Sequence, residues 1–300
     1  MPDDLKIGTV KLSIVNSAIP ENTEVKTVSF AVGKSKPHPT AKGNPHGITV
    51  NQHLLPARTI ERISSNGRID ILDVERKKRR FSNSSDQIFC ARRCWSQDAE
   101  TTLSHEIESD FQILCDKIEV NPLINLNTDE QNICNKFYAL WTARGNIFSS
   151  PLPDIQLSEI QSPIDIEQIQ RDELEKNGHV VLSDRTVRSY DINAIVLQHQ
   201  INTLLSEEQE TWHPWVFEYG ECMFSIIPTF KAIPVTNKIV LLPLNQKNEC
   251  EFKTTESFNR QLLKISRDTK TANVFFSHDL EKCLGVTSYI RRILSGKPTK

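Results

Sequence analysis

The segment QDAETTLSHEIESDFQILCDKIE, residues 97–119, has the clear periodicity of a helix. Its apolar residues recur at spacings of four, four, three and four, and about 100° of rotation per residue confines them to one stripe of an α-helix. They are Leu103, Ile107, Phe111, Leu114 and Ile118. On the same wheel Glu100 falls within the stripe and Asp110 lies at its edge, whereas His105 and Gln112 point to solvent. The stretch therefore predicts an amphipathic helix with a core-facing carboxylate, which needs a cation or hydrogen-bond donors.

A second predicted helix supplies a candidate cation. Its start is indicated at Thr128–Glu130, because a capping residue is followed by acids in the first turn. One face then carries Ile133, Phe137, Leu140, Trp141 and Arg144. Gly145 is predicted to end the helix. Arg144 is thus expected on an apolar face rather than in water.

Two roles for Arg144 remain open at this point. At a helix C-terminus it can simply satisfy the last backbone carbonyls. Alternatively it lies in a cleft, paired with Glu100, Glu108 or Asp110, where it could receive a phosphate or a carboxylate.

Strand-like patterns lie on both sides of these helices. Leu12–Val15 and Val25–Phe30 alternate or are β-branched, a turn-rich linker follows them, and further strand patterns fill the last third of the chain. Long helices and strands without a regular strand–helix–strand alternation indicate an α+β fold, with mixed antiparallel strands around a central group of long helices. We divide the chain into an N-terminal β extension with a Pro-rich linker, residues 1–48, and one α+β domain, residues 49–300.

Composition is that of an intracellular globular protein. The 300 residues are 38% hydrophobic and 25% charged, with a formal net charge of -2. This balance argues neither for nor against a nucleic-acid partner. Seven cysteines, an odd number in a long chain, favour reduced thiols over a disulfide framework. No window approaches the roughly 20 apolar residues of a membrane span. We therefore expect a cytoplasmic protein with no membrane partner.

Charge is distributed unevenly along the chain. Asn51–Glu100 contains 10 Lys or Arg against 7 Asp or Glu, whereas Pro151–Glu210 contains 4 against 12. The first segment includes five consecutive cations just after a predicted strand: Arg76, Lys77, Lys78, Arg79 and Arg80. They predict either a nucleic-acid-binding patch, since neutralised phosphates release counterions, or a solvated turn or strand edge that charge protects from aggregation.

Several chemistries lose support because their motifs are absent from the sequence. There is no Gly-rich phosphate loop, dinucleotide fingerprint, His-Glu-x-x-His or Gly-x-Ser-x-Gly. ATP-driven, flavin, nicotinamide and nucleophile-elbow hydrolase chemistry are therefore disfavoured. Cys90 and Cys94 lack a second Cys or His pair at zinc-finger spacing, so we assign no metal ligands from the sequence.

Short motifs between residues 52 and 279 carry a resemblance to a known family. They are Gln52-His53-x-x-Pro56, the spaced Glu100 and Glu108, a helix ending at Arg144, and the segments Phe224–Pro228, Val240–Leu244, Ser257–Asn259 and Val274–Ser277. Together they resemble DUF4238, a bacterial domain family of unknown function. The resemblance implies a bacterial or phage-borne protein of the kind found among anti-phage defence genes.

The sequence departs from that family at one turn. Where family members carry a Thr-Ser-Asp-Asn-Pro type turn, this chain has Phe224-Ser225-Ile226-Ile227-Pro228. An acid and an amide are thus replaced by isoleucines. If the turn supplies a metal ligand or a general base in the family, this chain lacks that group or uses another residue.

The candidate catalytic residues are His53, Arg58, Glu100, Glu108 and Arg144. A histidine can act as a general base, a carboxylate can orient it or bind a metal, and arginines can stabilise a phosphorane-like charge. A purely structural alternative for His53 is to staple the loop before Pro56.

Two functional hypotheses follow, and an unrelated small-molecule enzyme remains a third. The first is a toxin-like or anti-phage effector that acts on nucleic acid, with RNA cleavage favoured and a divalent metal left open as cofactor. The second is a non-catalytic phage sensor or protein-interaction module, in which the acidic middle of the chain recruits a phage or host protein.

Overall fold

Long helices and small antiparallel sheets form an α+β fold, as the sequence predicts. In this computed structural model the described residues are 7–10, 28–31, 38–157, 166–183, 185–207, 209–244, 252–269 and 274–295. The helices are α1 (Ala57–Ile63), α2 (His105–Val120), α3 (Thr128–Ser149), α4 (Gln168–Lys176), α5 (Ser189–Glu207), α6 (Thr255–Thr269) and α7 (Thr287–Leu294). A 3₁₀ turn spans Gln87–Phe89, and a π-helical turn, Ala99–Ser104, runs directly into α2. Within these ranges no helix has the length and apolar character needed to cross a membrane.

The strands are short and pair antiparallel throughout the described ranges. They are β1 (Ile7–Val10), β2 (Val28–Ala31), β3 (Asn51–His53), β4 (Ile69–Asp73), β5 (Lys78–Ser82), β6 (Cys90–Arg92), β7 (Ile155–Gln156), β8 (Leu182–Ser183), β9 (Thr186–Val187), β10 (Trp212–Val216), β11 (Phe224–Ser225), β12 (Ile233–Pro234), β13 (Ile239–Pro243) and β14 (Val274–Ser277). The larger sheets have the orders β11-β14-β4-β5 and β10-β13-β12, and β3 pairs with β6 alone.

Apolar faces of α2, α3 and α5 meet the sheets in one core. Helix α3 packs against α2 on one side and α5 on the other. Phe111 on α2 stacks on Phe137 of α3, with ring centroids 3.7 Å apart. The buried strand β4, whose five residues are all inaccessible, forms part of the same core. The predicted stripe therefore faces inward at Ile107, Phe111, Leu114 and Ile118.

The exposed position predicted for Gln112 is wrong. Gln112 is buried because α1 packs against this side of α2. Its amide donates to Thr59 Oγ1 at 2.8 Å, and its carbonyl oxygen accepts from Arg62 Nε at 2.9 Å. A helical wheel assigns glutamine to the solvent side because its side chain is polar. In this protein α1 supplies the hydrogen-bond partners of both polar atoms of the Gln112 amide, so the side chain can be buried.

Helix α3 starts where the sequence predicts and continues past the predicted end. Asn127 accepts from the Glu130 backbone N–H at 3.0 Å, and the Glu130 side chain accepts from the Asn127 N–H at 2.8 Å, which completes a capping box. Gly145 does not end the helix, which runs to Ser149. A Cβ on Gly145 would lie 3.2 Å from the Ile227 side chain, so this glycine permits close packing.

The N-terminal segment is described only in part. Strand β2 overlaps the predicted strand Val25–Phe30, whereas Leu12–Val15 lies outside the described residues. The described part of the linker packs on the rest of the chain: His38 Nε2 lies 2.8 Å from Asp154 Oδ1, and the Ala41 N–H donates to Asp172 Oδ2 at 2.6 Å.

We expect Asn127→Ala to lower the free energy of unfolding by about 1 kcal/mol, because the orphan N–H groups of α3 lose their cap. Urea denaturation would measure the change. Asn132→Ala, an exposed position on the same helix, is the control and should be neutral or slightly stabilising. Equal effects of the two substitutions would contradict the capping assignment.

Candidate functional site

A buried arginine lies between two glutamates at the centre of the molecule. Arg144, on α3, has 1% of its side chain exposed. Its Nη1 donates to Glu108 Oε1 on α2, and its Nη2 donates to Glu100 Oε2 at 3.3 Å. The sequence left two roles open for Arg144, and in the structure this arginine pairs with Glu100 and Glu108. With both acids ionised, one guanidinium faces two carboxylates, so the group carries one unbalanced negative charge.

The π-helical turn explains how two glutamates on one helix meet the same arginine. Eight residues along a regular α-helix would separate Glu100 and Glu108 by about 80°. A π turn bonds i to i+5 and so accommodates one extra residue, which reduces the separation to about 20°. The turn spans Ala99–Ser104, so it contains Glu100 and precedes Glu108. Both carboxylates therefore lie on the side of the helix that faces α3.

Trp95 completes the enclosure of this group. Its side chain is fully buried, its indole Nε1 donates to Glu100 Oε2 at 2.6 Å, and Arg144 Cζ lies 5.3 Å from its ring centroid. The loop that carries Trp95 is held by Gln52, whose Oε1 accepts from the Cys94 N–H at 2.6 Å and whose Nε2 donates to the Trp95 carbonyl at 2.7 Å. Gln52 thus links β3 to the site.

Burial dominates the electrostatics of Glu108. Loss of solvation raises the pKa of this carboxyl above its usual value, and the Glu100 charge adds to the rise. Arg144 opposes the rise, and so does the nearby His53 when it is charged. The Glu108 side chain keeps 24% of its surface exposed, and that of Glu100 keeps 17%. Both acids can therefore be reached from outside, whereas the arginine cannot.

His53 adjoins this group from strand β3. Its ring is half-buried, and Nε2 lies 3.1 Å from the Ser84 carbonyl oxygen. A carbonyl oxygen only accepts, so Nε2 must carry a proton, and Nδ1 is the basic nitrogen of the neutral ring. The imidazole is within electrostatic range of Glu108. His53, Glu100, Glu108 and Arg144 are thus brought to one region.

Arg58 lies apart from the other four candidates. Its side chain is 56% exposed and donates to both carboxylate oxygens of Asp116, at 2.9 and 3.2 Å. Arg62 binds the same carboxylate and also Glu119. Arg58 therefore belongs to a surface ion-pair group between α1 and α2.

The five-cation run forms the β4–β5 turn and the start of the edge strand β5. Arg79 donates through Nε and Nη2 to the buried Asp70, and Arg80 is bound by both oxygens of Asp86. Arg76, Lys77 and Lys78 are exposed. Arg79 and Arg80 thus neutralise internal acids, Arg76 pairs with Asp73 at 3.5 Å while it stays exposed, and Lys77 and Lys78 present their charge to solvent.

The turn at Ile226 and Ile227 lies against the helix that carries Arg144. The Trp141 indole Nε1 donates to the Ile226 carbonyl at 3.0 Å, and both isoleucines line a cleft of about 710 Å³. Cys90 borders the same cleft, and burial together with the Glu100 and Asp86 charges raises the pKa of its thiol to about 11. Cys90 is therefore a poor nucleophile at neutral pH.

A second buried ionic cluster was not anticipated from the sequence. Arg93, with no exposed side-chain surface, donates to Asp172 Oδ1 at 3.1 Å and to Glu175 Oε2, and its Cζ lies 4.7 Å from the Tyr190 ring centroid. Asp191 lies beside them, only 3% exposed. Several acids from the acidic part of the chain therefore face inward. One feature of the sequence could have indicated this cluster: Asp172 and Glu175 have an i, i+3 spacing on a helix without an apolar stripe.

Comparison with models of protein families, with curated proteins and with solved structures gave no match. Among the described residues no three His, Cys, Asp or Glu side chains are grouped as a metal site requires. The resemblance to DUF4238 stays a prediction based on short motifs.

We expect Arg144→Met to reduce the free energy of unfolding by about 3 kcal/mol at pH 8, because two half-buried carboxylates lose their buried cation. The loss should shrink as the pH falls, since the unpaired glutamates then hold protons more readily in the folded state than in the unfolded one. Chemical denaturation between pH 5 and 8 measures this. Arg58→Met, which breaks an exposed pair, should cost no more than about 1 kcal/mol. Similar losses for both variants would contradict the buried-triad description.

Asp191 makes a separate pH-dependent contribution to stability. Burial, with the Glu175 charge, raises its pKa from 3.8 to about 7. Between these values the folded protein holds more protons than the unfolded chain, so its stability falls as the pH rises through this interval. We expect Asp191→Asn to flatten this slope and Glu173→Gln, an exposed neighbour on α4, to leave it unchanged. Parallel pH–stability curves for wild type and Asp191→Asn would refute the assignment.

Proposed function

We propose that this protein is an RNA-cleaving, toxin-like effector of anti-phage defence that works through the site formed by Glu100, Glu108, Arg144 and His53. The observation that carries the proposal is the convergence of two glutamates on one buried guanidinium. A carboxylate fixed in this way is oriented and partly desolvated, and both properties favour acid–base catalysis. The defence role comes from the resemblance to DUF4238 and belongs to the same proposal.

In the proposed reaction Glu108 is the general base. Its ionised carboxylate takes the proton of a ribose 2′-hydroxyl while that oxygen attacks the adjacent phosphorus. The bond from phosphorus to the 5′-oxygen breaks, and the leaving oxygen takes a proton from protonated His53. The products are a 2′,3′-cyclic phosphate and a free 5′-hydroxyl. The raised pKa of Glu108 makes its carboxylate a stronger base than an exposed glutamate.

Arg144 is a positioning residue in this scheme. With 1% of its side chain exposed, it cannot contact a substrate while the two glutamates, 17% and 24% exposed, cover it. Its two Nη groups instead hold Glu100 and Glu108 in fixed orientations. Trp95 holds Glu100 from the other side.

The 2′-hydroxyl favours RNA among nucleic acids, because it supplies the nucleophile that the mechanism needs and is the group that distinguishes RNA from DNA. The exposed Lys77 and Lys78 are available to the phosphates of either nucleic acid, whereas Arg79 and Arg80 are bound by carboxylates and Arg76 pairs with Asp73 at 3.5 Å. We assign backbone contacts to Lys77 and Lys78.

A non-catalytic phage sensor or protein-interaction module is the second candidate. The observation that favours it is a row of exposed apolar side chains along α2 and just beyond it. Ile113 is 67% exposed, Val120 88% and Leu123 86%. Ile113 and Val120 are seven residues apart and so share one helix face. Such a face suits a helix or sheet of a partner protein.

The proposal is tested with a labelled single-stranded RNA and the matching 2′-deoxy strand, each with magnesium or with a chelator. We expect cleavage of RNA only, with a cyclic phosphate end. Glu108→Gln should reduce the rate by about 100-fold, because it removes the base. The matched control is Glu106→Gln, two residues away on the exposed side of α2.

Intact RNA under all conditions would overturn the RNA-cleavage proposal, as would equal rates for Glu108→Gln and Glu106→Gln. His53→Ala should lose activity against an RNA with an ordinary 5′-oxygen leaving group. It should lose much less against a substrate whose leaving group needs no proton. The second comparison separates a proton-donating His53 from one that only staples its loop.

A further inference from the structure

A cleft of about 510 Å³ opens beside the second ionic cluster. It lies between the π turn with the segment that leads into it, the end of α4 with the residues that follow, and α5 from Asp191 to Asn202. Its lining includes Asp98, Glu175, Val180, Asp191, Ala194 and Ile195. Two of these, Glu175 and Asp191, are 2% and 3% exposed. The cleft therefore has a floor of two buried carboxyl groups.

One carboxyl oxygen of Asp191 is unpaired in the part of the chain that the structure describes. The Val181 backbone N–H donates to the carboxyl group, but Oδ2 is buried and has no hydrogen-bond partner among the described residues. A buried acceptor without a donor costs free energy, and each such group calls for an explanation. Because Asp191 lines the cleft, a donor that enters the cleft can reach it.

Asp191 adds a third acid to a group that contains two arginines. Arg93 donates to Asp172 and to Glu175, so its guanidinium is already committed to two carboxylates. The Arg171 guanidinium brings a second positive charge close to Asp191. Among these five side chains, ionisation of all three acids leaves one negative charge in excess. A ligand with one positive charge would restore the balance.

Part of the cleft wall is apolar, and the rest is lined by polar side chains. Val180 is 58% exposed and Ile195 61%, while Leu103 and Ala194 are half-buried beside them. Apolar walls suit the methylene groups of an alkylamine, which bury their stem and present the ammonium to an acid. A magnesium ion keeps several waters and prefers oxygen ligands all round, so it suits this lining less well.

We propose that this cleft binds an alkylammonium group, with its nitrogen on Asp191 and Glu175 and its methylene chain along Val180 and Ile195. The same chemistry is presented by a free aliphatic amine and by a lysine side chain. The proposal does not depend on RNA cleavage, because none of the proposed catalytic residues lines this cleft.

Binding at this site should depend on pH. An ammonium group pairs with ionised Asp191. In the empty cleft, burial raises the pKa of this carboxyl group to about 7. The other charged and titratable groups that face it are Arg93, Asp98, Arg171, Asp172, Glu175, His179, Tyr190 and His199. Because Asp191 loses its proton over this interval, the affinity for an ammonium group should rise by about tenfold between pH 6 and pH 8.

The test is calorimetric titration of the full chain with 1,4-diaminobutane and, separately, with Nα-acetyl-lysine methylamide. 1,4-Butanediol, the uncharged analogue, and magnesium chloride serve as ligand controls. We expect one or both amines to bind at pH 8, more weakly at pH 6, and the diol not to bind. The tighter of the two amines identifies the source of the ammonium group.

Two variants assign the binding to this cleft. Asp191→Asn keeps the size of the side chain and should weaken amine binding at least tenfold, and Ala194→Leu should block the cleft without changing its charge. Glu173→Gln is the matched control and should bind as wild type does. Thermal unfolding of each variant establishes that it is folded. Absence of amine binding at pH 8, binding of magnesium alone, or unchanged affinity in both cleft variants would overturn the proposal.

Discussion

The burial of the Arg144 guanidinium is the constraint on which the centre of this structure depends. A charged group with 1% exposure is tolerated only when carboxylates and hydrogen bonds replace its water. The π turn meets that requirement by bringing Glu100 onto the same helix face as Glu108. Trp95 fixes Glu100, and Gln52 fixes the loop that carries Trp95. A helix irregularity, an indole and a buried amide thus serve one ion group.

Two of the buried arginines, Arg93 and Arg144, are connected through a single short segment. Arg93 enters the cluster with Asp172 and Glu175, and seven residues later Glu100 binds Arg144. Arg93 has a positive φ of 44°, a conformation that costs free energy for a residue with a Cβ. Asn193 on α5 donates to the Cys94 carbonyl at 2.8 Å, between the two clusters. The position of this segment is therefore fixed from both ends, and the two ion groups are mechanically linked.

Periodicity and capping signals predicted the parts of the fold that depend on local sequence. The α+β class, the inward stripe of α2 and the start of α3 follow from apolar spacing and from a capping residue before acids. The end of α3 was missed, because Gly145 serves a contact with Ile227 that is remote in sequence. Convergence of Glu108 with Arg144 was anticipated as one of two alternatives. The π turn and the inward-facing acids of α4 were not, since both depend on tertiary partners that no local pattern specifies.

Stability alone gives little reason to keep a buried ion group of this kind. Replacing a buried pair by apolar residues of similar size is often neutral or stabilising, because desolvation offsets the attraction. Among the described residues the Arg144 Nε has no hydrogen-bond partner, and one carboxylate charge of the group remains unbalanced. An apolar core at this position would avoid both costs. What an apolar core cannot provide is an oriented carboxylate with a raised pKa and partial access to solvent. Glu108 has these properties, and they are the reason to look for chemistry at this site rather than at the exposed Arg58–Asp116 pair.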